Sequence, residues 1–282
     1  MIEDVRKNAY ENPFDVVKKA VVLVSGGMDS CVCLHHVVKE LGAENVKALS
    51  AYYGQRSDCE LKRAEENCKK LGVERFEMNL SPIFSFNKNY SSYIKGSDRD
   101  IEDGSYAEIL QKKHDEGKVA ISDEYIPNRN SLLLNVVCSL GLQMLNNEKF
   151  AIVSGIHCDD AVKASGSAVA AYPDCTLEFA NSINTTLQEA TASVCYVYTP
   201  LANKTKTEVA KFGVKNGMTK ADFKNTWSCY RGDTEEHHHK PCGKCATCCD
   251  RIKAEINGAD FTIEDILEEY DLTREEALKF FK

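Results

Sequence analysis

The chain has 282 residues, a length that fits one large domain or one domain with a small appendage. With 43% hydrophobic and 28% charged residues it has the composition of a globular protein, not of a disordered or fibrous one. The formal net charge of −8 disfavours nucleic acid as a partner. No run reaches the length of a membrane span, and Met1 to Ala20 lacks the apolar stretch of a signal peptide, so we expect a cytoplasmic protein with no membrane partner.

The first part of the chain alternates strands and helices. Val21 to Val24 is an apolar run typical of a buried parallel strand, and apolar residues at helical spacing follow it. A second strand is predicted over Val46 to Tyr53, then a helix opened by a capping box of Ser57 and Glu60, then a third strand over residues 76–80. This order predicts a parallel sheet with right-handed crossovers.

Residues 85–124 interrupt the alternation with a segment rich in Ser, Asn, Lys, Asp and Glu. We expect a surface insertion here, either a solvated excursion or a lid, with a short helix from Tyr106 to Lys113. The alternation then resumes with a helix over 132–145, a strand over 150–156, a helix within 173–189, a strand over 194–198 and a helix capped by Thr205 and Glu208. Residues 1–225 are therefore predicted to form one doubly wound α/β sheet.

The last segment, residues 226–282, has a different pattern. It contains a cysteine-rich knuckle and then the pair Asn257-Gly258, which predicts a break in the chain's regular structure. Two short capped helices are predicted after the break, one from Thr262 and one from Thr273.

The loop SGGMDS, residues 25–30, joins the first strand to the first helix. Paired glycines let backbone N–H groups approach phosphate oxygens, and the helix N-terminus adds partial positive charge. Asp29 would repel a bare phosphate, so its presence predicts Mg²⁺ bridging it to the anion. The chain has no G-x-x-x-x-G-K-[ST] and no G-x-G-x-x-G, which disfavours a P-loop NTPase and a Rossmann dehydrogenase. The alternative is a plain Gly-Gly turn.

Four of the 13 cysteines are clustered as C-x12-C-x2-C-x2-C. Four thiolates complete the closed tetrahedral shell of a structural zinc ion, and an iron–sulfur cluster or a reduced cluster without metal is the alternative. Lys244 is expected to offset the negative charge of this site. Cys249 is expected to point away, and His237 to His239 to form a solvated run or to supply a substitute ligand. The other scattered cysteines are expected to be small buried side chains.

The SGGMDS loop resembles the PP-loop of the ATP pyrophosphatase superfamily, whose members cleave ATP to AMP and pyrophosphate. Over residues 20–255 the chain resembles one family within it, the 7-cyano-7-deazaguanine synthases of queuosine and archaeosine biosynthesis. The segments that carry this resemblance are SGGMDS, ALSAYYGQR from Ala48, YIPNRN from Tyr125, YPDC from Tyr172, TPLANKTKTEVAKFG from Thr199, TWSCYRG from Thr226 and CGKCATC from Cys242. Residues 156–171 and Thr176 depart from the family's pattern, which has a compact Asp-Tyr-Ser-Gly approach to YPDC and an Arg after it.

The resemblance implies a carbon–nitrogen ligase that converts 7-carboxy-7-deazaguanine and ammonia to the nitrile, consuming two ATP. It also implies ATP, Mg²⁺ and one structural Zn²⁺ per chain, and a homodimer. The implied site residues are, for catalysis, Asp29, Arg129 and Lys206; for the nucleotide, Leu23, Val24, Ser25, Gly26, Gly27, Met28, Asp29 and Ser30; for the substrate, Tyr53, Gln55, Arg56, Asn130 and Asp174; and for the metal, Cys229, Cys242, Cys245 and Cys248. Arg129 and Lys206 could instead form surface ion pairs, and Asp174 could instead cap a helix after Pro173.

Two other functions stay open. A PP-loop enzyme could adenylate a different acceptor: a protein terminus, another heterocycle, or a tRNA base during thiolation. Thiolation would need a reactive cysteine, for which Cys158 and Cys175 are the candidates. A non-enzymatic nucleic-acid binder built on the cysteine knuckle is the third possibility, and the acidic charge and intact phosphate loop count against it.

Overall fold

The computed structural model describes residues 8–281. The first part of the segment Met1 to Ala20, on which the signal-peptide expectation rests, therefore lies outside the described residues. Among the residues that are described, no helix combines the length and the apolar character needed to span a bilayer.

In the part of the chain that the structure describes, five parallel strands form one sheet in the order β3-β2-β1-β4-β5. The strands are β1 Lys19–Leu23, β2 Val46–Tyr52, β3 Glu74–Asn79, β4 Phe150–Val153 and β5 Cys195–Tyr198. β1 is central, because its Val22 is in register with Ala48 on β2 and Val153 on β4. The strand order reverses beside β1, and in such sheets the crevice at the carboxyl end of the central strand binds ligands. The predicted doubly wound α/β class is confirmed.

Helices cover both faces of the sheet. Within residues 8–281 they are α1 Met28–Leu41, α2 Glu60–Leu71, α3 Ser81–Phe84, α4 Tyr106–Asp115, α5 Arg129–Met144, α6 Leu177–Ala190, α7 Lys206–Lys215, α8 Lys220–Lys224, α9 Ala246–Ala259, α10 Ile263–Glu269 and α11 Arg274–Leu278. Val21 of β1 faces α5 and α6, whereas its neighbours Ala20 and Val22 face α1, α7 and α9. Successive side chains of a strand point to opposite faces of the sheet, so β1 contributes to the core on both faces.

The helix α2 begins differently from the prediction. The predicted capping box is wrong, since α2 starts at Glu60 with Cys59 before it and no side-chain cap. The hydroxyl of Ser57 is hydrogen-bonded to that of Tyr93, and the Glu60 carboxylate accepts from Gln55. The predicted box of Thr205 and Glu208 does form. Partners remote in sequence have displaced the local capping bonds at α2.

Residues 85–124 are only partly a surface insertion. Phe86 is 98% exposed, but Tyr93, Ile94 and Leu110 are buried. The backbone N–H of Arg56 donates to the carbonyl of Tyr93 at 2.8 Å, which ties the segment to the end of β2. The expectation of a solvated excursion therefore does not hold for residues such as Tyr93, Ile94 and Leu110, which join the core.

The predicted break at Asn257-Gly258 is wrong, because α9 continues through both residues to Ala259. A Cβ atom on Gly258 would lie 2.6 Å from the carbonyl oxygen of Thr207 and 2.7 Å from Cβ of Ala210. Glycine stands here because α9 packs closely on α7.

We expect Gly258→Ala to lower the free energy of unfolding by about 1–3 kcal/mol, the usual effect of overpacking. Asn257→Ala is the matched control, because Asn257 is the exposed neighbour on the same helix. Urea unfolding of both variants measures the difference. Equal stability of the two would mean that the close contact with α7 does not constrain the helix.

Candidate active site and metal centre

The SGGMDS segment forms a preorganised turn between β1 and α1. The Ser30 hydroxyl accepts from the backbone N–H groups of Ser25 at 3.2 Å and Gly26 at 3.3 Å, and donates to the carbonyl of Gly27 at 2.9 Å. Gly26 has φ +96°, and a Cβ there would lie 1.9 Å from the carbonyl oxygen of Glu60. Only glycine fits this position. The turn sets the amino end of α1 at the carboxyl end of β1, where an anion gains from the helix dipole.

A charged cluster lies beside this turn. Lys206 Nζ is 2.7 and 2.6 Å from the two carboxylate oxygens of Asp29. His157 Nε2 lies 3.3 Å from Lys206 Nζ and 3.4 Å from Oδ1 of Asp160. Burial would raise the pKa of Asp29, but Lys206, and then His157, outweigh burial and hold that pKa below its ordinary value. Asp160 differs, since burial raises its pKa against the same two neighbours.

A cavity opens in front of the turn at the carboxyl ends of β1, β2 and β4. Ten of the predicted site residues line it: Leu23, Val24, Ser25, Gly27, Asp29, Ser30, Tyr53, Arg129, Asn130 and Lys206. The Arg129 guanidinium lies over the Tyr53 ring, 5.3 Å from its centroid, and donates to the Tyr53 hydroxyl at 3.1 Å. The structure therefore brings the phosphate turn, two cations and an aromatic ring to one cavity.

Five of the residues predicted to bind the nucleotide or the substrate are not part of this lining: Gly26, Met28, Gln55, Arg56 and Asp174. The Gln55 side chain is bonded to the Tyr53 N–H and to Glu60. Arg56 donates to the carbonyl groups of Ser97 and Arg99 in the inserted segment. The Asp174 carboxylate accepts the backbone N–H of Asn130 at 3.0 Å, so it caps the start of α5 and not the helix after Pro173.

Sequence reasoning missed several residues that line the cavity: Glu60, Tyr93, Asp160, Tyr172, Ser228 and Tyr230. The hydroxyl groups of Tyr172 and Tyr230 lie 2.9 Å apart, and both are bonded to Tyr106. Tyr172 belongs to the YPDC segment and Tyr230 to TWSCYRG, so the motifs themselves could have found these two. For Glu60, the capping-box pattern with Ser57 predicts a role at the helix end and not in the cavity.

The sulfur atoms of Cys229, Cys242, Cys245 and Cys248 lie within 4.8 Å of one another, and all four residues are buried. Four converging thiols are a donor set that could hold a metal ion, and they fit the tetrahedral zinc type. Arg231 Nη1 lies 3.2 Å from the Cys242 sulfur, and the N–H groups of Lys244 and Cys245 also point at it.

The charge-balancing role predicted for Lys244 is wrong, because its ammonium group pairs with Glu276 at 3.0 Å. Arg231 takes that place. In the histidine run, His237 contacts Asp271 and His239 contacts Asp233, so neither is directed to the sulfur cluster. Cys249 points away from it, with its sulfur 3.3 Å from the carbonyl of Lys244.

Trp227 connects the cysteine cluster to the phosphate turn. Its backbone N–H donates to the carbonyl of Gly26 at 2.9 Å, and its indole N–H donates to the carbonyl of Cys229 at 3.1 Å. A Cβ on Gly27 would lie 3.3 Å from the carbonyl oxygen of Trp227. The segment that contains Cys229 therefore stabilises one side of the phosphate turn through Trp227.

The family model described as "Queuosine biosynthesis protein QueC" matches residues 19–257. The chain belongs to this family. It is similar to proteins named 7-cyano-7-deazaguanine synthase from Pseudoalteromonas translucida (31% identical, covering 88% of this chain and 99% of that protein), Alteromonas mediterranea (32%, 88% and 98%) and Methanoregula boonei (31%, 86% and 97%). The predicted resemblance and the prediction of an enzyme are confirmed.

Solved structures that resemble this member of the QueC family are more distant. NMN synthetase from Francisella tularensis has a TM-score of 0.43 at 14% identity, covering 94% of this chain and 83% of its own. NH3-dependent NAD synthetase from Campylobacter jejuni has a TM-score of 0.40 at 14% identity, with the same coverage. The QueC match includes both the phosphate turn and the four cysteines, whereas α10 and α11 lie beyond it.

Proposed function

We propose that this protein converts 7-carboxy-7-deazaguanine and ammonia to 7-cyano-7-deazaguanine with the consumption of two ATP. The observation that carries the proposal is one cavity that combines the phosphate turn, the Asp29–Lys206 pair and tyrosine walls, in a member of the QueC family. Such a cavity suits a nucleotide placed beside a flat heterocycle bearing a carboxylate.

The chemistry replaces a poor leaving group by a good one. A carboxylate oxygen of the substrate attacks the α-phosphorus of ATP, and pyrophosphate leaves. Ammonia then attacks the acyl carbon, and the bond between this carbon and the oxygen of AMP breaks. AMP leaves, and a proton is released from nitrogen to give the amide. The amide oxygen repeats the attack on a second ATP, and loss of AMP and of protons from nitrogen gives the nitrile.

The protein's part in these steps is positioning and charge compensation. Ser25, Ser30 and the amino end of α1 would bind pyrophosphate, and Lys206 would compensate the charge that grows on it. Arg129 would bind the substrate carboxylate or a phosphate oxygen. The carboxylates of Asp29 and Asp160 face the cavity and are the oxygen ligands that Mg²⁺ prefers. When bound there, Mg²⁺ would neutralise phosphate charge.

The remaining assignments are proposed on the same resemblance. Residues 1–225, with the insertion 85–124, would form the PP-loop ATP pyrophosphatase unit. Residues 226–282 would form the zinc knuckle and the short helices. We also propose a cytoplasmic homodimer that uses free ammonia, with one structural Zn²⁺ per chain.

The direct test is turnover of purified protein with 7-carboxy-7-deazaguanine, ammonium and MgATP, with products identified by mass. Two AMP and two pyrophosphate should form for each nitrile. AMP formation that does not depend on the 7-carboxy substrate would overturn the proposal and would indicate that the enzyme adenylates another acceptor.

Thiol chemistry gives a second, separate test. A thiolating enzyme needs a thiolate, but burial raises the pKa of Cys158 to about 11 and raises that of Cys175 well above its ordinary value. We therefore expect Cys158→Ser and Cys175→Ser to keep AMP formation within a factor of about three, since a raised pKa keeps both thiols protonated and a protonated thiol is a poor nucleophile. A complete loss in either variant, with the fold intact by circular dichroism, would favour a thiolating acceptor.

A further inference from the structure

Glu60 is an acid that the proposed chemistry does not use, although it lines the same cavity. It is 5% exposed, and its Oε1 accepts from Gln55 Nε2 at 3.2 Å. Within residues 8–281 its carboxylate forms no ion pair within 4 Å. Gln55 is itself fixed, because its amide is also bonded to the Tyr53 N–H and the Ala51 carbonyl. The carboxyl group is therefore held in place with hydrogen-bonding capacity left over.

The surroundings of Glu60 suit a flat ring. Tyr53 and Tyr93 line the cavity with ring centroids 6.4 Å apart, and Tyr230 lies 4.6 Å from Tyr93. Arg129, stacked on Tyr53, interacts electrostatically with Glu60. This part of the cavity thus contains aromatic surfaces, one guanidinium and one carboxyl group that is not paired with the guanidinium at ion-pair distance. Aromatic surfaces bind heterocycles by stacking, and the two polar groups can fix the orientation of the ring.

We propose that Glu60 recognises the acceptor substrate by accepting hydrogen bonds from the ring N1–H and the 2-amino group of the 7-deazaguanine. This inference rests on the proposed function and assigns a specificity-determining residue to it. The 7-carboxylate lies on the opposite side of the ring from these two donors, where Arg129 can bind it.

The chemistry of the two rings in the reaction favours this assignment over recognition of ATP. A guanine-like edge presents two adjacent N–H donors, which match the two oxygens of a carboxylate. An adenine edge presents one donor next to the N1 lone pair, and this lone pair would face a carboxylate oxygen. Since each carboxylate oxygen has two lone pairs, the bond from Gln55 persists when substrate binds. Burial raises the pKa of Glu60 to about 8, and two donated hydrogen bonds in the bound state would lower that pKa again.

The test compares Glu60→Gln with Glu65→Gln. Glu65 lies on the same helix α2 and is exposed, so it undergoes the same chemical change away from the cavity. In Glu60→Gln we expect KM for 7-carboxy-7-deazaguanine to rise about 100-fold, because an amide NH2 now faces an N–H donor. KM for ATP should change less than about twofold, as no ATP contact is lost. Glu65→Gln should match the wild-type enzyme in both constants.

A substrate analogue without the 2-amino group tests the same point in the wild-type enzyme, with no variant to fold. Its kcat/KM should be about 100-fold below that of the substrate, since a buried acceptor loses its donor. An analogue used as well as the substrate, or a Glu60→Gln variant that raises KM for ATP alone, would overturn the assignment while leaving the proposed function standing. A wild-type enzyme that forms no AMP with either compound would overturn both.

Discussion

Replacing Lys206 with Met should lower AMP formation about 100- to 1000-fold, the effect of removing one group that stabilises developing charge in an active site. Lys206 is buried, lies in the cavity and is 2.6 Å from a carboxylate oxygen of Asp29. When ATP is cleaved, negative charge collects on the departing pyrophosphate, and methionine keeps the length of the side chain without its charge. Steady-state rates of AMP and pyrophosphate release measure the loss.

Lys211→Met is the control, because Lys211 is an exposed lysine on the same helix α7. Its activity should be that of the wild-type enzyme. Circular dichroism separates a lost cation from a lost fold in Lys206→Met. A folded Lys206→Met enzyme with wild-type kcat would mean that Lys206 only pairs with Asp29 and takes no part in the reaction.

Removing the metal proposed for the cysteine cluster should have the largest effect on stability. We expect Cys245→Ser, or chelation, to lower the free energy of unfolding by at least about 4 kcal/mol, the range seen when a structural metal is lost. ATP binding should weaken at the same time, since Trp227 connects Cys229 to the carbonyl of Gly26. Thermal unfolding and nucleotide titration measure the two effects.

Cys249→Ser is the matched control, since Cys249 adjoins the cluster in sequence while its sulfur contacts the carbonyl of Lys244. It should keep both stability and nucleotide affinity. Elemental analysis should find one zinc per chain, and iron in its place would indicate an iron–sulfur cluster. Metal-free protein with wild-type stability would contradict a structural role for the cluster.

Much of the fold follows from local patterns. The apolar run before SGGMDS and the helical spacing after it fix β1, the turn and α1, because a buried parallel strand and an amphipathic helix have distinct periods. The pattern misleads where a remote partner decides the local structure. Asn257-Gly258 looks like a break, but α9 needs glycine there to approach the carbonyl of Thr207. Likewise, the Ser57 hydroxyl is hydrogen-bonded to Tyr93 and does not cap α2 as predicted.

The candidate site shows the same limit. Sequence gives the types of residue at a strand end but not the direction of their side chains. Gln55 and Arg56 follow β2 and yet are bonded to the backbone around Tyr53 and to the inserted segment. Glu60 enters the cavity because α2 starts at that residue. Lys244 lies between two of the cysteines in sequence and is therefore the expected cation. The structure instead places Arg231, eleven residues before Cys242, against the Cys242 sulfur.

The hydrogen bond from Trp227 to Gly26 has a consequence for synthesis on the ribosome. The phosphate turn directly follows β1, but the backbone group that braces it is translated only after β5. Since domains fold as their segments become available, the nascent chain can build its sheet before its ATP site is braced. We therefore expect ATP cleavage to begin only after the segment that contains Trp227 has been translated and exposed, so chains that stop before Trp227 would not consume cellular ATP.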